Sequence, residues 1–234
     1  MAMSKTKIPE INPEEYLVEE DEMSENSAQF QLILYLVQVL AYYYRVENWF
    51  VIGDMMLIYP AIENSRHSIS PDVLVFKGIE ISQEERKYMA SWRISDNRPA
   101  PPVVFEISSD ATWRNDIERG EQQKPNIYGR IGVKEYYAYD PFKERVWQGE
   151  PRRLLGWRYE ESGKLIALEP DKRGWLWSEE LDSWLGEAGE YLRLYDQNGV
   201  RRLTEAEAGN EAREAAEARI LELEAQLRHQ QDKN

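Results

Sequence analysis

The 234-residue chain contains no cysteine and only two histidines, His67 and His229. The missing thiols exclude a disulfide framework, a zinc ribbon and a cysteine nucleophile, and they are typical of a reducing cytoplasm. Any metal ion must therefore be held by oxygen ligands or by those two imidazoles. The longest apolar run, residues 32–44, is interrupted by Gln38 and is too short for a membrane span, which needs about 20 residues. We expect a cytoplasmic protein with no membrane partner.

Positive charge is also scarce, because 43 acidic residues outnumber 29 basic ones and leave a formal net charge of −14. A broadly basic DNA-binding face is excluded, since phosphate contacts depend mainly on Lys and Arg. The acids concentrate at the two ends of the chain: residues 1–25 hold eight of them and residues 203–234 another eight. The middle of the chain is only mildly acidic, so a local basic groove that contacts DNA is compatible with the composition.

Composition and periodicity divide the chain into an acidic arm (residues 1–24), a domain (residues 25–200) and a helical tail (residues 201–234). Within the domain, apolar residues at helical spacing predict one helix, with Ser24 as its N-cap. This stripe consists of Phe30, Ile33, Leu34, Val37, Leu40 and Ala41. Runs of β-branched and aromatic residues predict four strands. They cover residues 49–59, 68–76, 102–108 and 133–139.

A further short helix is expected between the last two strands, within residues 112–132, where Pro125 suits a first turn and Gly132 a C-cap. The alternation of helices and strands indicates an α/β fold. Residues 143–200 alternate aromatic residues with turn signals, which favours additional antiparallel strands over the core. The predicted fold is a mixed central sheet flanked by helices, with extra antiparallel strands and a C-terminal helix.

The tail is rich in Ala, Glu, Arg and Leu, the composition of a solvated helix or a short coiled coil. Its apolar seam follows a four-three-four spacing over only two heptads. The seam residues are Ala216, Ile220, Leu223 and Leu227. A single exposed helix and self-association in a homodimer both fit this pattern. We expect the main dimer contact to involve the aromatic-rich body instead.

Three residues that lie far apart in the sequence are of the types that a metal-dependent phosphate site needs. Asp72 lies in a strand-like segment, Glu106 interrupts the apolar strand PPVVFEIS, and Lys124 begins the next helix. A carboxylate inside an apolar strand is costly to desolvate and needs a partner or a metal. Two carboxylates from neighbouring strands can bind Mg²⁺, and a nearby ammonium can orient water and neutralise charge on a phosphate.

Four stretches follow one another around residues 71–141: SPDVLVF, RKYMASW, PPVVFEISS and KPNIYGRIGVKEYYAYDP. This series resembles the Uma-type family of candidate restriction endonucleases, within the restriction-endonuclease-like PD-(D/E)XK nuclease superfamily. The resemblance implies Mg²⁺-dependent or Mn²⁺-dependent hydrolysis of DNA phosphodiesters, with Asp72 and Glu106 as metal ligands. It also implies that Lys124 is the catalytic lysine, displaced onto the following helix. The superfamily pattern has its lysine two residues after the acid, where this chain has Ser108.

Structural alternatives are open for each of these residues. Asp72 can cap a strand end or pair with Arg66, Glu106 and Lys124 can form an ion pair without metal, or Lys124 can be solvated. Two other functions are also compatible with the pattern. One is a catalytically degenerate nuclease-fold protein that acts as a binding or assembly module. The other is a glycosidase with Asp72 and Glu106 as acid and base, which leaves Lys124 unexplained.

Supporting groups are also suggested by position. Arg114 and Asp116 can reach phosphate or brace the site, but surface solvation is their default expectation. Glu25, Asn26 and Gln29 open the first helix, which can supply a supporting group in the superfamily that this chain resembles, but a capping role is favoured. His229 lies in the polar tail and is expected to be solvated.

Overall fold

A computed structural model describes residues 27–60, 66–160, 162, 164–189 and 191–231. Its helices are α1 (Ser27–Tyr43), α2 (Gln83–Lys87), α3 (Trp113–Ile117), α4 (Lys124–Ile131) and α5 (Glu205–Gln231). Its first seven strands are β1 (Phe50–Gly53), β2 (Met56–Pro60), β3 (Arg66–Ile69), β4 (Val73–Phe76), β5 (Ser91–Arg93), β6 (Val103–Ile107) and β7 (Glu135–Tyr139). The others are β8 (Leu154–Tyr159), β9 (Leu165–Ala167), β10 (Leu176–Ser178), β11 (Ser183–Ala188) and β12 (Tyr191–Tyr195).

The centre of the fold is a six-stranded sheet with the order β1-β4-β6-β7-β8-β9. Strands β6 and β7 run parallel, and the other neighbouring pairs are antiparallel. The antiparallel sheet β10-β11-β12 and the small sheet β3-β2-β5 complete the strands described. The mixed α/β fold with additional antiparallel strands and a C-terminal helix is therefore confirmed.

Different elements cover the two faces of the central sheet. On one face, Phe105 of β6 shares a core with Leu36 of α1 and with the leucines of the β10-β11-β12 sheet. On the other face, Val104 of β6 shares a core with Tyr128 of α4. Because successive side chains of a strand point to opposite faces, Glu106 lies on the α4 side with Val104.

Two of the predicted strands are wrong in extent, because each divides in two. Residues 49–59 form β1 and β2, which separate at Asp54, where a φ of 49° turns the chain. Residues 68–76 contribute to β3 and β4, which separate around Pro71. Proline lacks the N–H that a continuous ladder needs. The second break is the one that brings Asp72 to the start of a buried strand.

The elements that carry the other two site residues are confirmed. The strand expected over residues 102–108 is β6, and the strand expected over residues 133–139 is β7. In α4, Pro125 lies in the first turn, and Gly132 ends the helix with a φ of 94°. None of the helices described is long and apolar enough to cross a bilayer.

The first helix is confirmed, but its predicted apolar stripe is only partly buried. Phe30, Leu34 and Ala41 are exposed. The buried apolar residues are Leu32, Ile33, Leu36, Val39 and Leu40. The helix carries apolar residues around much of its circumference, so periodicity alone could not identify the face that meets the sheet. The predicted cap at Ser24 and the acidic arm lie outside the described residues.

Candidate active site

Asp72 and Glu106 lie side by side at one end of the β4–β6 ladder. Val73 pairs with Phe105 in antiparallel register. Continuing that register outward places Asp72, just before β4, beside Glu106 of β6 on the same sheet face. Asp72 Oδ2 accepts a hydrogen bond of 2.5 Å from the backbone N of Ile107, which ties the two strand ends together. Glu106 is only 1% exposed.

Lys124 reaches this carboxylate pair from the first residue of α4. Its Nζ lies 2.9 Å from Glu106 Oε2 and 2.8 Å from Asp116 Oδ1. The lysine side chain is 12% exposed, so it is not a solvated residue. Pro125 fixes the backbone at the start of α4, and the helix directs the amine into the site.

Asp116 is a buried site residue, and its default expectation of surface solvation is wrong. Its Oδ2 accepts hydrogen bonds from Ser108 Oγ (2.8 Å) and Thr112 Oγ1 (3.0 Å), while its Oδ1 pairs with Lys124. Tyr136 donates from its hydroxyl to the Asp116 carbonyl oxygen at 2.8 Å. Ser108 therefore holds the carboxylate that pairs with Lys124.

Two further side chains support the end of β6. Tyr128, one helical turn after Lys124, donates its hydroxyl hydrogen bond to Glu106 Oε1. Gln29 of α1 is buried and donates from Nε2 to the Ile107 carbonyl oxygen at 2.7 Å. Gln29 thus supports the sheet through its amide, a role beyond the cap that was favoured for it. Its neighbours in that prediction, residues 25 and 26, lie outside the described residues.

The remaining candidates lie elsewhere. The guanidinium of Arg114 is exposed and stacks 4.5 Å from the ring centroid of Trp113. His229 is exposed on α5, as expected, and the side chain of His67 lies outside the described residues, as does that of Arg66. Position alone suggested that Asp116 can brace the site, and no periodicity or motif indicated its burial.

Three carboxylates compete for one ammonium in this site. Burial and the charge of Glu106 raise the pKa of Asp72 well above its usual value. Burial also raises the pKa of Glu106, although Lys124 opposes this change. Burial alone would lower the pKa of Lys124, but the carboxylates of Glu106, Asp116 and Asp72 outweigh it and raise that pKa. Lys124 is therefore a cation at neutral pH, whereas burial and neighbouring carboxylates oppose the charged forms of Asp72 and Glu106.

The donor set suits a hard cation. Asp72 and Glu106 offer carboxylate oxygens from two neighbouring strands, the ligand type that Mg²⁺ prefers. Within the described ranges, no three Asp, Glu or His side chains form a ready-made metal cluster. Mg²⁺ is commonly held by one or two carboxylates, with water and substrate phosphate in its other positions, so this pair fits such an ion.

Comparison with known proteins agrees with the resemblance of residues 71–141. The sequence profile of the family described as "Uma2: Putative restriction endonuclease" matches residues 15–178. The chain belongs to the Uma2 family. None of the curated proteins compared with this Uma2 member matched it.

One solved structure is similar to this Uma2 chain. It is described as a "putative nuclease belonging to DUF820" from Anabaena variabilis ATCC 29413. The sequences are 13% identical, the match covers 68% of this chain and 76% of the other, and the TM-score is 0.44.

Proposed function

We propose that this Uma2 protein is a Mg²⁺-dependent endonuclease that hydrolyses DNA phosphodiester bonds. In this proposal Asp72 and Glu106 are catalytic metal ligands and Lys124 is the catalytic lysine. The observation that carries it is the meeting of two carboxylates on adjacent strands with one buried ammonium. Membership of the Uma2 family supports the same activity.

The proposed metal is Mg²⁺, with Mn²⁺ as a substitute, and restriction-endonuclease-like proteins generally use divalent ions. A bound ion of this type activates water and neutralises charge on the phosphate. The raised pKa of Lys124 keeps it protonated, so its role is to stabilise negative charge that develops on the phosphate. Asp116 positions this ammonium, because its carboxylate fixes Nζ beside Glu106.

DNA is the proposed partner despite the acidic composition. The contact would be a local groove next to the site, and the exposed guanidinium of Arg114, two residues from Asp116, is a candidate phosphate contact. Cleavage of both strands would be served by a homodimer.

We further propose that residues 25–200 form the catalytic domain and that residues 1–24 and 201–234 are appendages to it. We also propose that the protein acts in the cytoplasm.

The proposal is tested by metal-linked stability and by cleavage measured on the same preparations. Mg²⁺ or Mn²⁺ should raise the melting temperature of the wild type, since a ligand that binds only the folded state stabilises it. The same ions should support cleavage of plasmid or single-stranded DNA, and EDTA should abolish it. Asp72→Asn should lose both responses. An unchanged melting temperature in saturating metal, together with no cleavage, would overturn the proposal.

A catalytically degenerate binding or assembly module is the second candidate. It is favoured by the Lys124 ion pair, which already neutralises part of the charge on Glu106, and by the hydroxyl of Ser108 at the usual lysine position. This candidate expects no metal response in the wild type. It also expects Glu106→Gln to destabilise the fold, because Lys124 loses a buried partner.

A further inference from the structure

Helix α5 is firmly fixed to the body at its first turn. Thr204 and Glu207 form a capping box: Glu207 N donates to Thr204 Oγ1 at 3.2 Å, and Thr204 N donates to Glu207 Oε2 at 2.9 Å. Arg193 of β12 adds an ion pair with Glu207 Oε1 at 3.3 Å. The direction in which α5 leaves the body is therefore set by bonds to the sheet.

Beyond this first turn, the described side chains of α5 do not pack into a hydrophobic core. The helix spans 27 residues, about 40 Å at 1.5 Å per residue, and none of its described side chains is buried. Ile220, Leu223 and Leu227 stand exposed along it. Helices in water gain most of their stability by packing an apolar face, and this face has no partner within the described part of the chain.

We propose that α5 pairs with α5 of a second copy in a parallel, in-register, two-stranded coiled coil. The seam consists of Ala216 and Leu223 at d positions and Ile220 and Leu227 at a positions of the heptad. A β-branched residue at a and leucine at d favour two strands. The seam lies beyond the residues that match the Uma2 profile, so this assembly is independent of the proposed nuclease activity.

The charges beside the seam select the parallel orientation. Arg219 is a g position and Glu224 is the e position five residues later, which face each other across a parallel dimer. Symmetry makes this contact twice. An antiparallel pair would instead bring Glu217 opposite Glu224 of the partner helix, two like charges. The helix is therefore self-complementary in one orientation.

The aromatic-rich body, where the main dimer contact was expected from composition, is the weaker candidate for that contact. The ring of Trp175 stacks on Tyr195 with centroids 4.0 Å apart, and the guanidinium of Arg173 lies over both Trp175 and Trp184. These rings already contact partners in their own chain. Within the part of the chain that the structure describes, the seam of α5 contacts no such partner, which favours the tail as the assembly element.

Sedimentation of the full chain gives the first test. The wild type should have twice the chain mass of 27.6 kDa at micromolar concentration. Leu223→Lys should convert it to monomer, whereas Leu221→Lys should not, although Leu221 is the more exposed side chain (64% against 42%). A monomeric wild type, or equal effects of the two variants, would overturn the proposal. Circular dichroism should show that both variants keep the fold, because neither side chain contacts the body core.

Cross-linking tests the orientation, since the chain has no native cysteine. Ala216→Cys should oxidise to a covalent dimer in high yield, and Leu221→Cys should not. In an antiparallel pair, position 216 would face position 227 of the partner, about 16 Å from its own counterpart, and Ala216→Cys would stay monomeric on denaturing gels.

Arg219→Glu should weaken the dimer at least about tenfold, equivalent to about 1.4 kcal/mol. Adding Glu224→Arg should restore it.

Discussion

Glu106 and Glu135 are equally buried on neighbouring strands of the central sheet, yet they have different surroundings. Glu135 is well supplied with donors, and Glu179, which shares Arg158 with it, is largely exposed. Arg158 pairs with Glu135 at 3.2 Å, Glu179 N donates at 3.0 Å, and Ser178 donates from its hydroxyl. Such an arrangement satisfies a buried charge and braces β7 against the β10-β11-β12 sheet.

Glu106 lies in the opposite situation. It shares the single ammonium of Lys124 with Asp116, and Asp72 adds a third carboxylate. Burial, together with neighbouring like charges, raises the pKa values of Asp72 and Glu106 and makes their charged forms costly to maintain. The comparison separates a buried carboxylate that stabilises the fold from one that the fold maintains in an unfavourable state. That second condition is typical of a functional site.

The largest expected effect is on cleavage by the Glu106→Gln variant. The amide keeps the shape of the side chain and removes a proposed metal ligand, so cleavage should fall at least about a hundredfold. The metal-dependent rise in melting temperature should disappear as well. Glu135→Gln is the matched control, measured below its melting temperature, and should retain both responses. Wild-type cleavage by Glu106→Gln would contradict the assignment.

In stability the order of the two variants should be the opposite: Glu135→Gln should lose more free energy of unfolding than Glu106→Gln. Glu135→Gln weakens an ion pair and several hydrogen bonds to a charged group, so urea unfolding should show a loss of about 2–4 kcal/mol. Glu106→Gln should cost less, because Lys124 keeps Asp116 as a partner and one crowded negative charge is removed. If Glu106→Gln were the more destabilised variant, the site would be a structural ion pair and the degenerate module would be favoured.

The ordered motifs and the family resemblance pointed to Asp72, Glu106 and Lys124, and the structure places Lys124 beside Glu106 and Asp72 at the start of the neighbouring strand. The roles of these residues stay a prediction. Pro71 also carried a local signal for the strand break that the prediction overlooked. Asp116 was suggested as a bracing residue by position, but its burial could not be predicted in this way. It lies in the five-residue helix α3, and its burial comes with tertiary contacts to Ser108, Tyr136 and Lys124. Contacts of this kind depend on tertiary packing and leave no periodicity in the chain.

A smaller effect is expected from Asp116→Asn, which tests whether this residue positions the lysine. The amide oxygen can still accept from Ser108 and Thr112, but the ammonium of Lys124 loses one of two carboxylates. Cleavage should fall about ten- to a hundredfold, because small misplacements of a catalytic group are costly, while metal-linked stabilisation remains. Asp110→Asn, at an exposed carboxylate nearby, is the control. Loss of the metal response in Asp116→Asn would instead identify Asp116 as a third ligand.

The smallest expected effect is a pH-dependent gain in stability for Asp72→Asn without metal. Burial and the charge of Glu106 raise the pKa of Asp72 in the folded protein above the ordinary value of 3.8. The folded state then binds this proton more tightly than the unfolded chain does, so the free energy of unfolding rises as pH falls from neutral through the raised pKa. The stability that the wild type gains on acidification is complete once the pH lies below 3.8, the ordinary pKa of the group in the unfolded chain.

Asp72→Asn lacks the titrating group and should melt a few degrees higher than the wild type at neutral pH. The difference between the two melting temperatures should shrink on acidification. Scanning calorimetry at several pH values in EDTA measures it, with Asp110→Asn again as the control. A wild type that loses stability relative to Asp72→Asn on acidification would mean that the charged carboxylate stabilises the fold. In that case Asp72 would resemble Glu135, and the contrast between the two clusters would hold for Glu106 alone.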